Sequence, residues 1–550
     1  MCEKLKILSF RRSIFIQLSL RTTERSELLN DDFRVYLTAY HHEVTGSRLV
    51  LNAVYPDGRK QKIMVDCGYY QEVNYRYLNY EHELNPENID VILITHNHID
   101  HTGLLPKMAK EGFNGPIYMT QMTYELLPSY LQDSARQQPE NAEYLRKKYP
   151  NDAYKFDVLY NDKDVQKVLP LAKGVDYRKT IEVLPGVKVT FYENGHLLGA
   201  ACILVQFTCY GKKPLNFLFT GDYRSRNPLF FVPVIPKAVR KMELIIVCES
   251  TYGGVESQEI RKCFEKNMME AFSKRMNVLI GAFAQGRMQE ILNVFRIMQE
   301  EGKIPPEYEI CIDGGLGIST CLKYMSLLRK YYPKSPNFMP EGVRVLDADS
   351  RSSILDSQGL RNSRKIVITT SGMLSNGPAR EHVPNFLERY DCMIHLCGYA
   401  AEETIARQLL DTIRLNEVTI RGNVYQKNAV VKTTREFTSH AASDELIKFL
   451  SQFKNVRFVA VNHGSTVQSR DFAHLINDTC PNVEEVGRIN RNNMYCFVQR
   501  AKRGAGYEDI EVKALPAKFK ISYNYGKSDN SKNSVQHHKK TSRDGRERRR

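Results

Sequence analysis

The chain has 550 residues, too many for one hydrophobic core and suited to two or three domains. Hydrophobic residues make up 42% and charged residues 26%, the balance of a soluble globular protein. No apolar run approaches the ~18 residues that would span a bilayer, so no membrane partner is expected. The formal net charge of +15 points to an anionic partner, although charge alone cannot choose RNA over DNA. Twelve scattered cysteines without a Cys-x-x-Cys pair exclude a thiolate zinc knuckle. They read as reduced thiols, with a cytoplasmic location expected, or a nuclear one in a eukaryote.

Residues 1–30 read as an N-terminal extension whose acidic residues, Glu3, Glu24 and Glu27, argue against an organellar presequence. Short strands are predicted over 33–55 and 61–68, around the turn Pro56-Asp57-Gly58. Val91 to Ile94 is a wholly apolar strand, followed at once by ligand-type polar residues. A charged helix is predicted over 121–150, then strands at 187–193, 202–207, 215–219 and 244–248. From 254 the chain turns to alternating apolar strands and helices, the βαβ rhythm of a second, parallel-sheet domain over 254–417. Residues 418–500 are expected to return to the first domain, which begins at 31 and runs to 253. The rest, 501–550, is a basic tail, expected to be disordered from 527. Residues 527–550 hold nine Lys and Arg against three Asp and Glu.

His96-Asn97-His98-Ile99-Asp100-His101 follows the Val91–Ile94 strand directly. Alternate histidines at a strand end point the same way, so His96 and His98 can converge on one cation. Asp100 and His101, past the bend, can reach a second. Imidazole and carboxylate without thiolate suit Zn²⁺ or a similar transition metal.

This motif resembles that of the metallo-β-lactamase superfamily, and its surroundings are similar to the β-CASP branch of nucleic-acid hydrolases. The other motifs follow in order: Asp66 in Val65-Asp66-Cys67-Gly68, His196 in Gly195-His196-Leu197, Asp222 in Thr220-Gly221-Asp222-Tyr223, Glu249 before Ser250-Thr251, His440 in Ser439-His440-Ala441, and His463 in Asn462-His463-Gly464. The resemblance implies an α/β fold, a metallo-β-lactamase αββα sandwich with an inserted parallel-sheet β-CASP domain. It further implies two Zn²⁺ ions, with Mn²⁺ as the alternative. His96, His98, His196 and Asp222 would hold one ion; Asp100, His101, His463 and the shared Asp222 would hold the other. Asp66 would orient a ligand histidine or the nucleophilic water, and Glu249 with His440 would form the proton-donating pair.

The nearest likeness is to stand-alone prokaryotic β-CASP ribonucleases and the endonuclease subunit of the cleavage and polyadenylation factor. Histidine rather than valine at position 463 implies RNA, so single-stranded RNA is the expected substrate, cut internally or from the 5′ end. A homodimer or a place among processing-complex subunits is also implied. Arg287, Ser371, Gly372, Ser439 and Gly464 are the expected substrate contacts. Two other readings compete: a small-molecule metallo-β-lactamase-type hydrolase and a non-catalytic RNA-binding scaffold. Glu249 and His440 argue against the first, the complete ligand set against the second. The segment Thr38-Ala39-Tyr40-His41-His42 departs from the family's Gly-Ala, as do Asn97 and Tyr223-Arg224-Ser225-Arg226 from its usual residues.

Overall fold

From Phe33 to Leu37 side chains alternate between deep burial and partial cover, the period of a sheet with one face on a core, before Thr38 and Ala39 are both buried. A computed structural model describes residues 32–517 apart from 42, 73, 82–83, 260–261, 356–359, 361–363, 399, 401, 412–415 and 500–509. The Phe33–Ala39 strand lies inside an eight-stranded sheet, and the strands Asn455–Asn462 and Glu243–Glu249 lie inside a seven-stranded one. Phe33, Val35, Leu37 and Leu51 of the first sheet share one core with Phe191, Phe217, Val247 and Phe458 of the second. Helices cover the outer faces. On the first sheet, Leu127 and Leu131 of the helix Gln121–Lys148 pack with Ile92 and Met119. On the second, Leu446 and Phe472 from the helices Ser443–Leu450 and Thr466–Thr479 pack with Ile246 and Val459. This is the αββα sandwich.

The second domain is a six-stranded sheet, parallel throughout, with Asn277–Gly281 paired on either side to Arg364–Thr369 and Cys392–Cys397. Helices lie on both faces, so its inner strands are apolar runs rather than alternating ones. The domain border differs from the expected 418. Strand Val430–Thr434 pairs in parallel with Cys392–Cys397, and Val418, Ile420 and Ala429 sit in the inserted domain's core. The chain therefore re-enters the sandwich after Thr434. The tail differs too, because Glu511–Pro516 adds an antiparallel edge strand to Asn493–Gln499. The basic stretch from 527 and the N-terminal extension lie outside the described residues. None of the described cysteines forms a disulfide, and no described helix is long and apolar enough to cross a membrane.

Candidate metal centre

The candidate residues gather where strand ends of the two sheets meet. The loop after Val91–Leu93 carries His96 and His98, then turns into the one-turn helix Ile99–Thr102 bearing Asp100 and His101. The turn Asp66-Cys67-Gly68 is pressed against this loop, and a Cβ on Gly68 would fall 1.7 Å from the Asp100 carbonyl oxygen. His196 and Asp222 follow strands Val187–Glu193 and Leu215–Phe219 of the other sheet. Glu249 ends Glu243–Glu249, and His463 follows Asn455–Asn462. Those two strands are parallel neighbours, which sets Glu249 opposite Asn462.

Ligand-type atoms fall into three overlapping groups among the described residues: His96, His98, His196 and Asp222; Asp100, His101 and His463; and Asp222, Glu249, His440 and His463. His96 Nε2 and His98 Nδ1 lie 3.1 Å apart, as do His98 Nδ1 and His196 Nε2, and Asp222 Oδ2 lies 3.5 Å from both His96 and His196. Four ligands at zinc bond lengths of ~2.0–2.1 Å in a tetrahedron would be separated by about 3.3 Å, so this group fits the ion. In the second group, His101 Nε2 is 3.2 Å from His463 Nε2, 3.4 Å from Asp222 Oδ1 and 3.7 Å from Asp100 Oδ2. Asp222 thus faces both groups. Its Oδ1 is buried and accepts no hydrogen bond from the described residues. A buried carboxylate oxygen left so is costly unless a cation neutralises it.

Electrostatics prepares the ring nitrogens. Burial first, then neighbouring imidazoles, pushes His96 and His196 well below the usual histidine range, and His98 down to about 4. They are therefore neutral, the form that binds metal. Burial opposes charge on His101 as well, but Asp222, Asp66 and Asp100 overcome it and raise its pKa. Burial works against the Asp222 carboxylate too, yet His463 and His101 hold it well below the carboxylate range.

Supporting contacts fix the tautomers. His101 Nδ1 donates to Asp66 Oδ2 at 2.7 Å, which turns Nε2 towards Asp222. The Thr95 amide and hydroxyl both donate to the same Asp66 carboxylate. His196 Nδ1 donates to the Ser439 carbonyl at 2.9 Å. Asn194 Nδ2 donates to the carbonyls of Thr220 and Asp222, tying the third motif to the fourth. Sequence reasoning missed Thr95 and Asn194; both are polar residues at the ends of apolar strands, one and two positions before a motif histidine.

His440 Nδ1 lies 2.9 Å from Glu249 Oε2, while its Nε2 is 3.9 Å from Asp222 Oδ2. The other Glu249 oxygen accepts the Tyr223 amide. Burial disfavours the His440 cation, but Glu249 and Asp222 outweigh it and raise its pKa to about 9.

The expected substrate contacts divide. Arg287 is half-buried with its guanidinium 4.8 Å over the Phe283 ring, and its Nε has no partner among the described residues. Gly372 backs onto the same Phe283, where a Cβ would come within 3.0 Å. Ser371 Oγ accepts the Asn376 amide of its own turn. These three share one loop cluster at the ends of inserted-domain strands. Ser439 and Gly464 belong instead to the metal loops: the first offers its carbonyl to His196, and a Cβ on the second would sit 2.3 Å from Ser250 Oγ.

Fold and site together define a metallo-hydrolase of the metallo-β-lactamase type, with a helix-wrapped parallel-sheet domain inserted beside the candidate metal ligands. Three family models match in succession: the metallo-beta-lactamase superfamily over residues 48–246, the Beta-Casp domain over 288–409, and the Zn-dependent metallo-hydrolase RNA specificity domain over 424–490. The chain thus carries a metallo-beta-lactamase domain, a Beta-Casp domain and an RNA specificity domain in that order. It is 28% identical over 453 residues to the transcription termination factor FttA of Methanococcus maripaludis, covering 78% of this chain and 67% of the relative. The FttA of Thermococcus kodakarensis is 29% identical over 410 residues, 70% of this chain and 59% of that one. An RNase J-like protein of Methanocaldococcus jannaschii is 26% identical over 438 residues, 78% of this chain and 92% of its own length. The chain thus spans about three fifths to two thirds of the two FttA relatives.

Proposed function

We propose that this chain is a two-zinc ribonuclease that hydrolyses phosphodiester bonds of single-stranded RNA, cutting internally, with 5′-exonuclease action as the alternative mode. The observation that carries the reading is Asp222, a buried carboxylate with one oxygen unpartnered among the described residues, set between groups of imidazoles at ligand spacing. His96, His98, His196 and Asp222 would hold one ion, and Asp100, His101, His463 and Asp222 the other. Bound there, the ions, Zn²⁺ or Mn²⁺, supply Lewis acidity that lowers the pKa of water and neutralises charge on the phosphate.

The chain's own residues do the rest. Asp66 and Thr95 lock His101 in the tautomer that presents Nε2. Glu249 holds His440 Nδ1–H and favours the imidazolium, leaving Nε2–H turned to the ligand cluster as a general acid for the departing ribose oxygen. Arg287 carries a charge on the inserted domain's loop cluster for the RNA backbone. The matched RNA specificity domain supports RNA as the substrate class, and the names of the FttA relatives make nascent transcripts a candidate. Assembly as a homodimer or within a processing complex, and a cytoplasmic or nuclear location, complete the reading.

The test is cleavage of one 5′-labelled RNA by zinc-loaded protein, with 5′-monophosphate and 5′-triphosphate forms compared. Internal fragments from both substrates are expected. Mononucleotides from the monophosphate alone would replace the endonuclease reading with the exonuclease one, and intact RNA beside a hydrolysed thioester or β-lactam would overturn both.

A further inference from the structure

His463 is held at φ +50°, a backbone region that costs a side-chain-bearing residue energy and persists only where the surroundings over-determine it. Two restraints come from the neighbouring loop. Ser250 Oγ donates to the Asn462 carbonyl at 2.8 Å, and Thr251 Oγ1 lies 3.0 Å from His463 Nδ1 and donates to the His463 carbonyl at 3.1 Å. Since that hydroxyl proton is committed to the carbonyl, Thr251 Oγ1 accepts from Nδ1–H. Nε2 is then left bare towards His101 and Asp100.

A third restraint crosses from the other sheet. His41, just past strand Phe33–Ala39, is 1% exposed, and its Nε2 lies 2.6 Å from Asn462 Oδ1. Its Nδ1 lies 3.2 Å from the Arg48 amide nitrogen, a backbone donor, and 3.4 Å from the Arg48 carbonyl. The closer amide contact makes Nδ1 the acceptor, so Nε2 carries the proton and donates to Asn462. The ring thus bridges the backbone of one sheet to the residue before the motif histidine of the other. It stands in the very segment where this chain departs from the family's Gly-Ala.

We infer that His41 is a positioning residue: through the His41–Asn462 hydrogen bond it braces the strained His463 turn and so sets the affinity of the second cation, held with Asp100 and His101. This rests on the reading of His463 as a metal ligand. The first cation's ligands stand on other loops, so the bond acts on one ion of the two. Groups that hydrogen-bond a metal ligand directly are worth about 10–100-fold in affinity; His41 acts one step further out, so the low end of that range bounds its effect.

The experiment is zinc titration of the metal-free full-length protein by calorimetry, with thermal melts of each metal-free variant beside it. Wild type should take up two equivalents. His41→Phe keeps an aromatic ring and loses the donor; it should bind the first ion as wild type does and the second more weakly, by about 10-fold. Asn462→Ala should do the same, and the double variant should be no worse than either single one, since both remove the same bond. His41→Gln, which keeps a donor, should recover most of the loss. Wild-type affinity for both ions in His41→Phe, or losses that multiply in the double variant, overturns the inference. If His41→Phe fails to fold, Asn462→Ala decides alone by the same criterion. Fewer than two equivalents in the wild type would instead remove the two-ion reading beneath it.

Discussion

Two buried clusters of histidine and carboxylate sit at strand ends in this molecule, and they are built to opposite rules. In the inserted domain Asp313 ends strand Tyr308–Asp313 and is saturated: His382 Nε2 lies 2.7 Å away, and Arg351 Nε and Nη2 donate at 2.6 and 3.0 Å. Arg351 also pairs with Glu381 at 3.0 Å. In the sandwich, Asp222 meets His96, His101 and His196 at 3.4–3.5 Å, His463 through its Nδ1 at 3.4 Å and His440 at 3.9 Å, and one of its oxygens accepts no hydrogen bond from the described residues. Hydrogen-bond distances with an arginine describe a structural ion pair, though its His382 Nδ1 is buried without a partner among the described residues; the longer spacings around Asp222 describe a cluster that fits an added cation. Composition alone does not separate the two. The arginine beside Asp313, with none paired to Asp222 among the described residues, does.

Asp222→Asn is the most direct way to break that contrast. It should abolish uptake of metal and lower RNA cleavage by at least about 10⁴-fold, because the ligands act as a unit. The metal-free variant should melt below wild type, because it loses the carboxylate charge that His463 and His101 favour. Metal analysis and a melt of each form check this; full zinc content in the variant would end the assignment. His440→Ala should separate chemistry from binding. Zinc content should stay at the wild-type level while turnover falls about 10²–10⁴-fold, the usual worth of a general acid. Equal metal loss in both variants would merge the two roles.

Arg351→Met attacks the other cluster. It leaves Asp313 buried without its guanidinium and should cost about 3–5 kcal/mol in denaturant unfolding, with zinc content unchanged. Metal loss in this variant would mean that the two clusters are coupled and the comparison false.

How much of this was legible in the sequence follows from how local each feature is. The His96–His101 cluster is one short loop after an apolar strand, and its chemistry could be read without a fold. The sharing of Asp222 between two groups could not be read from residue types, because His101 and His463 are 362 positions apart and meet only through sheet packing. The domain border escaped for a similar reason. Val430–Thr434 reads as any exchangeable strand, and only its parallel pairing with Cys392–Cys397 assigns it to the inserted sheet. Glu511–Pro516 alternates too weakly to stand out from the tail, as suits an edge strand paired on one side. The Asp313–His382–Arg351 cluster gave no local signal either, its members lying on three separate elements.

The smallest expected effect concerns acid. Burial alone would raise the Asp313 pKa, but the hydrogen bonds from His382 and Arg351 prevail and hold it below the usual carboxylate value. A carboxylate depressed in the folded state adds stability that is complete above its unfolded pKa of about 3.9 and is lost as pH falls through the folded value. Wild-type stability should therefore carry this contribution unchanged from pH 7 to about 4 and shed it only below. In Arg351→Met the guanidinium no longer opposes burial, so the Asp313 pKa rises and the proton is taken up earlier on the way down. The stability gap between wild type and variant should then narrow as pH is lowered from 7 towards 4, because protonation relieves the variant of its unpaired charge before it touches the wild type. Denaturant midpoints at three pH values measure that gap. A gap that widens on acidification would show that the guanidinium does not neutralise Asp313, and the contrast with Asp222 would lose its physical basis.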